Sequence, residues 1–206
     1  MSSLLGHLID ACAATIVEHT DELTTLDQAI GDGDHGLNMK RGFEAVALDR
    51  EATASLDPGG ALQKAGMTLV MKVGGASGPL YGSLLIAMGK AMAEQPLDVG
   101  DVAKALAAGV EAVKARGKSH GGEKTMLDVL VPVAGALAEA DGLQDAIERV
   151  AKAADRGLES TRDMKATKGR ASFLGERSVG HLDPGARSSQ LLVHAVCHVF
   201  KGETGG

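Results

Sequence analysis

Apolar side chains recur every three or four residues along nearly the whole chain, and no stretch alternates convincingly as a half-buried strand would. Val102, Leu106, Val110 and Val113 form one such stripe. Leu143, Ile147, Val150, Ala154 and Leu158 form another, and Leu5, Leu8, Cys12 and Ile16 a third. The pattern predicts an all-α chain of about eight helices: roughly 2–24, 36–49, Pro58 to the Gly74-Gly75 pair, Pro79 to about Ala91, a helix ending at Gly117, 124–140, 143–163, and a last one from Pro184-Gly185. Asp57-Pro58 reads as a helix start, because proline is tolerated at the first helical position. Asp98 with Asp101 reads as a cap, and Gly117 stands where a helix C-cap would.

Composition agrees. One Tyr, three Phe and no Trp leave the core to Ala, Leu, Val, Ile and Met, while 28 Gly suit helices that approach closely. A β-sandwich wants aromatic and β-branched strands instead. The 206 residues are enough for one domain with a sizeable core, or two small ones. Two linkers are long, residues 25–35 and about 164–183, and such loops in a compact domain are usually functional.

Charge and hydropathy narrow the partners. A net charge of −6, no basic block and few stacking aromatics argue against nucleic acid. No apolar run reaches about 18 residues, so no membrane span is expected. The first residues lack the basic region of a signal peptide. Cys12 and Cys197 then read as reduced core thiols, and a cytoplasmic location is expected.

Chemistry concentrates in Asp27-Gln28-Ala29-Ile30-Gly31-Asp32-Gly33-Asp34-His35-Gly36. Two like charges ~4 Å apart at an effective dielectric of ~20 repel by about 4 kcal/mol. Asp27, Asp32 and Asp34 crowd together stably only if water solvates them or a cation binds them. Hard oxygen donors in a small cluster suit Mg²⁺, with Ca²⁺ less apt; a solvated acidic capping loop is the other reading. With two Mg²⁺ ions and three carboxylates, about one positive charge is left to hold a polyphosphate. The helix that follows offers its first amides, near Gly36, Leu37 and Asn38, to an anion. Gly74-Gly75-Ala76-Ser77-Gly78-Pro79 also precedes a helix, and either lines phosphate oxygens or is a plain helix–helix turn.

Three look-alikes fail. Residues 31–36 match GxGxxG, but they follow a helix, and two of the variable positions are carboxylates that would repel phosphate. Counted from Asp32, an EF-hand loop would place its bidentate Glu where Phe43 stands. Gly117-Lys118-Ser119 lacks the earlier P-loop glycine, since that position is Ala112. His194 and His198, one turn apart, have no third ligand nearby and read as ordinary helix-face residues, as do His7, His19, His120 and His181.

Four motifs then follow in order: the Asp27–Gly36 cluster, Gly74–Gly78, Gly117-Lys118 with Lys124-Thr125-Met126, and Lys168-Gly169-Arg170-Ala171-Ser172 through Gly180–Gly185. Together they resemble the ADP-binding L subunit of bacterial dihydroxyacetone kinase over essentially the whole chain. The resemblance implies a single nucleotide-binding domain across residues 1–206, built as an eight-helix antiparallel bundle or barrel, with ADP or ATP and two Mg²⁺ at one end. It implies that Asp27, Asp32 and Asp34 ligate metal. His35, Gly36, Leu37 and Asn38, with Ala76 and Ser77, would hold phosphates, and Gly117 and Met126 would border the adenine. Arg170, Asp183, Pro184 and Gly185 would come from a lid, with Arg170 either stabilising transition-state charge or anchoring that lid.

The resemblance further implies that ADP stays bound as a cofactor. A phosphohistidine on a separate M subunit rephosphorylates it, and the γ-phosphoryl passes to dihydroxyacetone held on a K subunit. Two other readings stand beside it. One is an ATP-dependent kinase subunit for another ketose such as erythrulose; the other is a module whose nucleotide state controls docking to a partner such as a transcription regulator.

Overall fold

The computed structural model describes residues 4–92 and 98–204, so the expected start of the first helix at residue 2 lies outside the described residues. Ten α-helices and one 3₁₀ segment account for the ordered elements, and no strand occurs among the described residues. They are α1 (Leu4–Glu18), α2 (Thr20–Ile30), α3 (His35–Leu48), α4 (Arg50–Ala54), α5 (Pro58–Lys72), α6 (Ser77–Ala91), α7 (Val99–Gly117), α8 (Leu127–Ala138), α9 (Gly142–Ser160), the 3₁₀ segment Arg170–Ser178, and α10 (Pro184–Thr204). All eight expected helices are present. The first is divided in two, and α4 and the 3₁₀ segment are additions.

The division at His19 has a local cause. The His19 ring lies 2.9 Å from the Thr15 carbonyl, and the Thr20 hydroxyl donates to the Val17 and Ile16 carbonyls at 2.8 and 3.1 Å. Such back-bonding competes with the helical ladder and bends it. Beyond the break, Leu23, Asp27 and Ile30 fall on one buried face, so helix continues to Ile30 where a loop from residue 25 is expected. Asp27 is therefore a helical residue. Two expected caps are confirmed: Asp57 accepts from the Gly60 amide with Pro58 at the first helical position, and Asp98 accepts from the Asp101 amide. At the end of α7, Gly117 stays helical and Lys118 takes the left-handed cap conformation, φ 47°.

Packing closes the helices into a ring. α1 touches α3, α3 touches α5, and contacts run onward through α6, α7, α8, α9 and α10 back to α1. The α5–α6 pair shows why glycine is abundant. A Cβ at Gly89 would lie 2.4 Å from the Gly59 carbonyl oxygen, and one at Gly66 would lie 2.9 Å from that of Gly82. These two crossings put backbone against backbone and set an antiparallel register.

Inside the ring, Ile16, Leu23, Met39, Leu69, Leu127 and Val129 are fully buried, with Phe43 and Tyr81 the main aromatic contributions. A second cluster under α8, α9 and α10 holds Val133, Ile147, Val150, Ala154 and Cys197. Both cysteines are free thiols, as expected, and burial pushes Cys12 up to about 12. No described helix is long and apolar enough to cross a membrane.

Up-down alternation has one consequence for chemistry. The α2–α3, α5–α6, α7–α8 and α9–α10 connections all reach the same mouth of the barrel, where their residues line one cleft of about 680 Å³.

Candidate functional site: an acidic cleft at one mouth of the barrel

One wall of the cleft is carboxylate. Asp27, Asp32 and Asp34 each present an oxygen, and the three oxygens lie within 4.8 Å of one another. Asp27 is buried at the end of α2, and its Oδ2 accepts from the Asp34 and His35 amides at 2.8 and 3.0 Å. Those amides open α3, so α2 supplies the anion that caps the next helix. Gly31 makes room for this arrangement, because a Cβ there would sit 2.1 Å from Asp27 Oδ1. Gly33, at φ 75°, turns the chain so that Asp32 and Asp34 fall on either side. Asp32 and Asp34 are exposed at the cleft.

Three hard oxygens from one rigid and two exposed carboxylates suit an oxygen-coordinated divalent cation such as Mg²⁺. The cluster holds one counter-charge already: the Arg170 guanidinium lies 2.9 Å from Asp32 Oδ2.

The opposite wall carries Gly74, Gly75, Ala76 and Ser77 at the start of α6. His35 reaches across to it. Its Nδ1 lies 3.1 Å from Ser77 Oγ and its Nε2 lies 2.9 Å from Ser188 Oγ on α10. Burial lowers the His35 pKa against the pull of Asp27 and Asp34, so the ring is neutral at physiological pH. The network extends to Tyr81, whose hydroxyl lies 2.8 Å from both Ser188 Oγ and Ser189 Oγ. Burial pushes that phenol up to about 12, so it stays protonated. Tyr81, Ser188 and Ser189 escaped the sequence reading. The available signal was the chain's single tyrosine and the adjacent pair of serines near the start of the last helix.

An apolar corner completes the cleft. Gly117 and Leu80 meet there, a Cβ at Gly117 falling 3.4 Å from Leu80 Cδ2, and a Cβ at Gly185 would lie 3.6 Å from Met126 Cβ. Asp183 and Pro184 line the cleft beside them, with Lys168, Gly169, Arg170 and Ala171 from the long α9–α10 connection.

Thus His35, Ala76, Ser77, Gly117, Met126, Arg170, Asp183, Pro184 and Gly185 share the cleft with Asp27, Asp32 and Asp34. Gly36, Leu37 and Asn38 are not among its lining residues. Gly36 is pressed on α2, where a Cβ would lie 2.1 Å from the Thr20 carbonyl oxygen. Leu37 is exposed, and the Asn38 amide donates to the Asp34 carbonyl at 2.9 Å. Of the amides expected to meet an anion, that of Asn38 is thus already paired within α3, while the Asn38 side chain lies at the cleft loop, where a Cβ on Gly74 would meet its Oδ1 at 2.6 Å.

Asp183 is the titratable group to watch. Desolvation pushes its carboxyl up to about 7; the Ala186 amide, donating at 2.7 Å, and Lys124 oppose the rise, while Asp128 adds to it. Between the ordinary carboxylate value of 3.8 and about 7, the folded chain holds a proton that the unfolded chain has released. The stability from this group is therefore whole below that window and lost as pH rises through it. Asp183→Asn is expected to flatten this part of the urea-midpoint profile of ligand-free protein between about pH 4 and about pH 7. An unchanged slope in the variant would refute the assignment.

The DAK2 domain family matches residues 29–198 of the sequence, which take in the three later motifs and most of the aspartate cluster. The chain belongs to the DAK2 family. It is 50% identical over 181 residues to the ADP-binding subunit DhaL of PEP-dependent dihydroxyacetone kinase 1 from Listeria innocua, covering 88% of each chain. It is 43% identical over 195 residues to the corresponding Escherichia coli subunit, covering 92% of this chain and 93% of that one. A more distant DAK2 relative, the L-erythrulose 1-kinase of Mycolicibacterium smegmatis, is 37% identical over 184 residues, which is 85% of this chain but 32% of that one. The fold is similar to that of the C. freundii dihydroxyacetone kinase in complex with AMP-PNP and Mg2+, with a TM-score of 0.76 and 24% identity over 95% of this chain and 33% of that one.

Proposed function

We propose that this chain is the nucleotide-carrying subunit of a cytoplasmic dihydroxyacetone kinase, a single domain that keeps ADP bound with two Mg²⁺ ions. A phosphohistidine M subunit recharges that ADP, and the γ-phosphoryl passes to dihydroxyacetone on a K subunit. The observation that carries the reading is the convergence of Asp27, Asp32 and Asp34 within 4.8 Å, facing the Ser77 loop across one cleft. The likeness to ADP-binding subunits at 50% and 43% identity supports it, and exceeds the likeness to erythrulose kinases at 37% and 35%.

Asp27, Asp32 and Asp34 are the residues that would hold magnesium. Bound there, it would neutralise phosphate charge and polarise the phosphoryl group. Asp27 is held by two backbone amides, so its oxygen is placed before any ligand arrives. Neutral His35 fixes Ser77, whose hydroxyl then faces phosphate oxygens. Gly117 and Met126, with Gly185, offer an apolar slot to the adenine ring, and Asp183 and Pro184 close that side. Arg170 is the residue proposed to stabilise transition-state charge. It stands on Asp32 and so within reach of whatever the carboxylates hold. Phosphoryl transfer asks the protein for positioning and charge neutralisation, with little covalent chemistry, so no nucleophile–base pair is needed.

Native mass spectrometry of gently purified protein tests this reading. A mass excess equal to one ADP with magnesium is expected, stripped by a chelator. Protein that purifies without nucleotide, and takes up none when ADP and Mg²⁺ are supplied, would sink the reading.

A further inference from the structure

The long connection between α9 and α10 carries Lys168 to Ala171 into the cleft wall, yet little apolar contact holds it. Ala166, Ala171 and Leu174 gather against Ile30, and Leu182 packs on the cluster under α8, α9 and α10. We propose that Lys124 is a positioning residue, a buried ammonium latch that ties both ends of this connection to the α7–α8 loop and thereby sets how fast nucleotide leaves. The proposal rests on the nucleotide-carrying reading given above.

Lys124 is 1% exposed. Its Nζ donates to the carbonyls of Thr161, at 2.6 Å, and Met164, at 3.2 Å, where the connection begins, and to that of His181, where it ends. An ammonium has three protons, and here each has a carbonyl. The two ends are also tied to each other, the Asp183 amide donating to Thr161 Oγ1 at 3.1 Å and the Gly180 amide to the Arg162 carbonyl at 2.8 Å, but Lys124 fastens both of them to the α7–α8 loop. The backbone confirms that the placement is forced. Among the described residues, positive φ outside glycine occurs only at Lys118 and Lys124, at 47° and 62°. Such strain persists where surrounding structure holds it, and it points to a role for the residue.

Both strained residues serve the same purpose. The Lys118 carbonyl accepts from Lys168 Nζ at 2.6 Å, and the Glu123 carbonyl accepts from the Thr167 amide at 3.3 Å. The α7–α8 loop is thus a plate on which the connection is fastened, with Lys124 as the buried pin and Lys168 as an exposed one. Lys124 lines the cleft, but all three hydrogen bonds of its Nζ go to backbone carbonyls and none to Asp27, Asp32, Asp34 or Ser77, which marks it as a positioning residue.

The test combines Lys124→Met, Lys124→Gly and, as a control on the same connection outside the cleft, Lys165→Ala, which removes an exposed pair with Glu176. Hydrogen exchange is followed in ligand-free protein, and ADP release from the magnesium-loaded protein is followed by chase. In Lys124→Met, the amides of Ala166 and Gly180, which donate to Ser178 Oγ and the Arg162 carbonyl, are expected to exchange at least about tenfold faster. Amides of α5 and α6 keep their rates, and ADP release quickens by a similar factor. Lys165→Ala changes both by less than about threefold. Should the methionine variant fail to fold, Lys124→Gly removes the ammonium while suiting the positive φ, and the same outcome is expected of it.

Unchanged exchange in residues 162–181, a rise shared equally by α5 and α6, or faster exchange with unaltered ADP release would each overturn the proposal. A wild-type protein that binds no ADP with magnesium would instead remove the functional reading, leaving the exchange rates to decide whether the latch exists.

Discussion

Asp32→Asn is expected to weaken binding of ADP with magnesium by at least about 100-fold while leaving the fold intact. Loss of outer partners of a metal ligand already costs about 10- to 100-fold in metal affinity, so loss of a ligand sets a floor near the upper end. Asp32 is exposed and makes its recorded ion pair with exposed Arg170, so folding stability should change by no more than about 0.5 kcal/mol. Asp27→Asn provides the contrast. Its carboxylate caps α3 through two amides, and substitution there should lose nucleotide and also about 1 kcal/mol of stability. Calorimetric titration with ADP and Mg²⁺, beside urea denaturation of each variant, separates the two effects. If Asp32→Asn held ADP as firmly as the parent, the carboxylates would not be a metal seat.

Arg170→Ala is expected to lower phosphoryl transfer by about 10³-fold or more, the range for an arginine that meets transition-state charge. ADP retention should fall by less than about tenfold, because the carboxylates and the Ser77 loop remain. The exposed placement of the guanidinium makes this separation possible. Among the described residues its ion pair is with Asp32, 2.9 Å away, and not with the 3₁₀ segment that carries it. Arg170→Lys should recover part of the rate, since a point charge replaces a planar fork. Transfer is measured with partner subunits and dihydroxyacetone, and retention by ADP chase. If retention collapsed in step with rate, Arg170 would be an anchor for its segment and no more.

How much of this could be read from the residues depended on range. Asp57 with Pro58, and Asp98 with Asp101, act within one turn, and both caps stand where the sequence puts them. The aspartate cluster was legible for the same reason, since its three members lie within eight residues. Its support was not. Asp27 looked like a loop residue because Thr25, Asp27 and Gln28 break the apolar stripe, yet Leu23 and Ile30 keep it on the buried face of α2. Its carboxylate then occupies the Asp34 and His35 amides that open α3, and the Asn38 amide is spent inside the helix, so that only the Asn38 side chain is left to reach the Gly74-Gly75 loop. Lys124 carries no local signal at all. Its three carbonyl partners lie 37 to 57 residues away, and only the closed ring brings them together. The Tyr81–Ser188 contact, spanning 107 residues, was invisible for the same reason.

Arg50, just past α3, pairs with Asp10 in α1, and Cys197 in α10 lies against Ile147 near the start of α9. The outer turns of α1 and α10 therefore sit at the pole opposite the acidic mouth. A chain joined at that pole would leave the entrance unshaded, and a fold like this one accounts for 34% of the longer C. freundii dihydroxyacetone kinase chain.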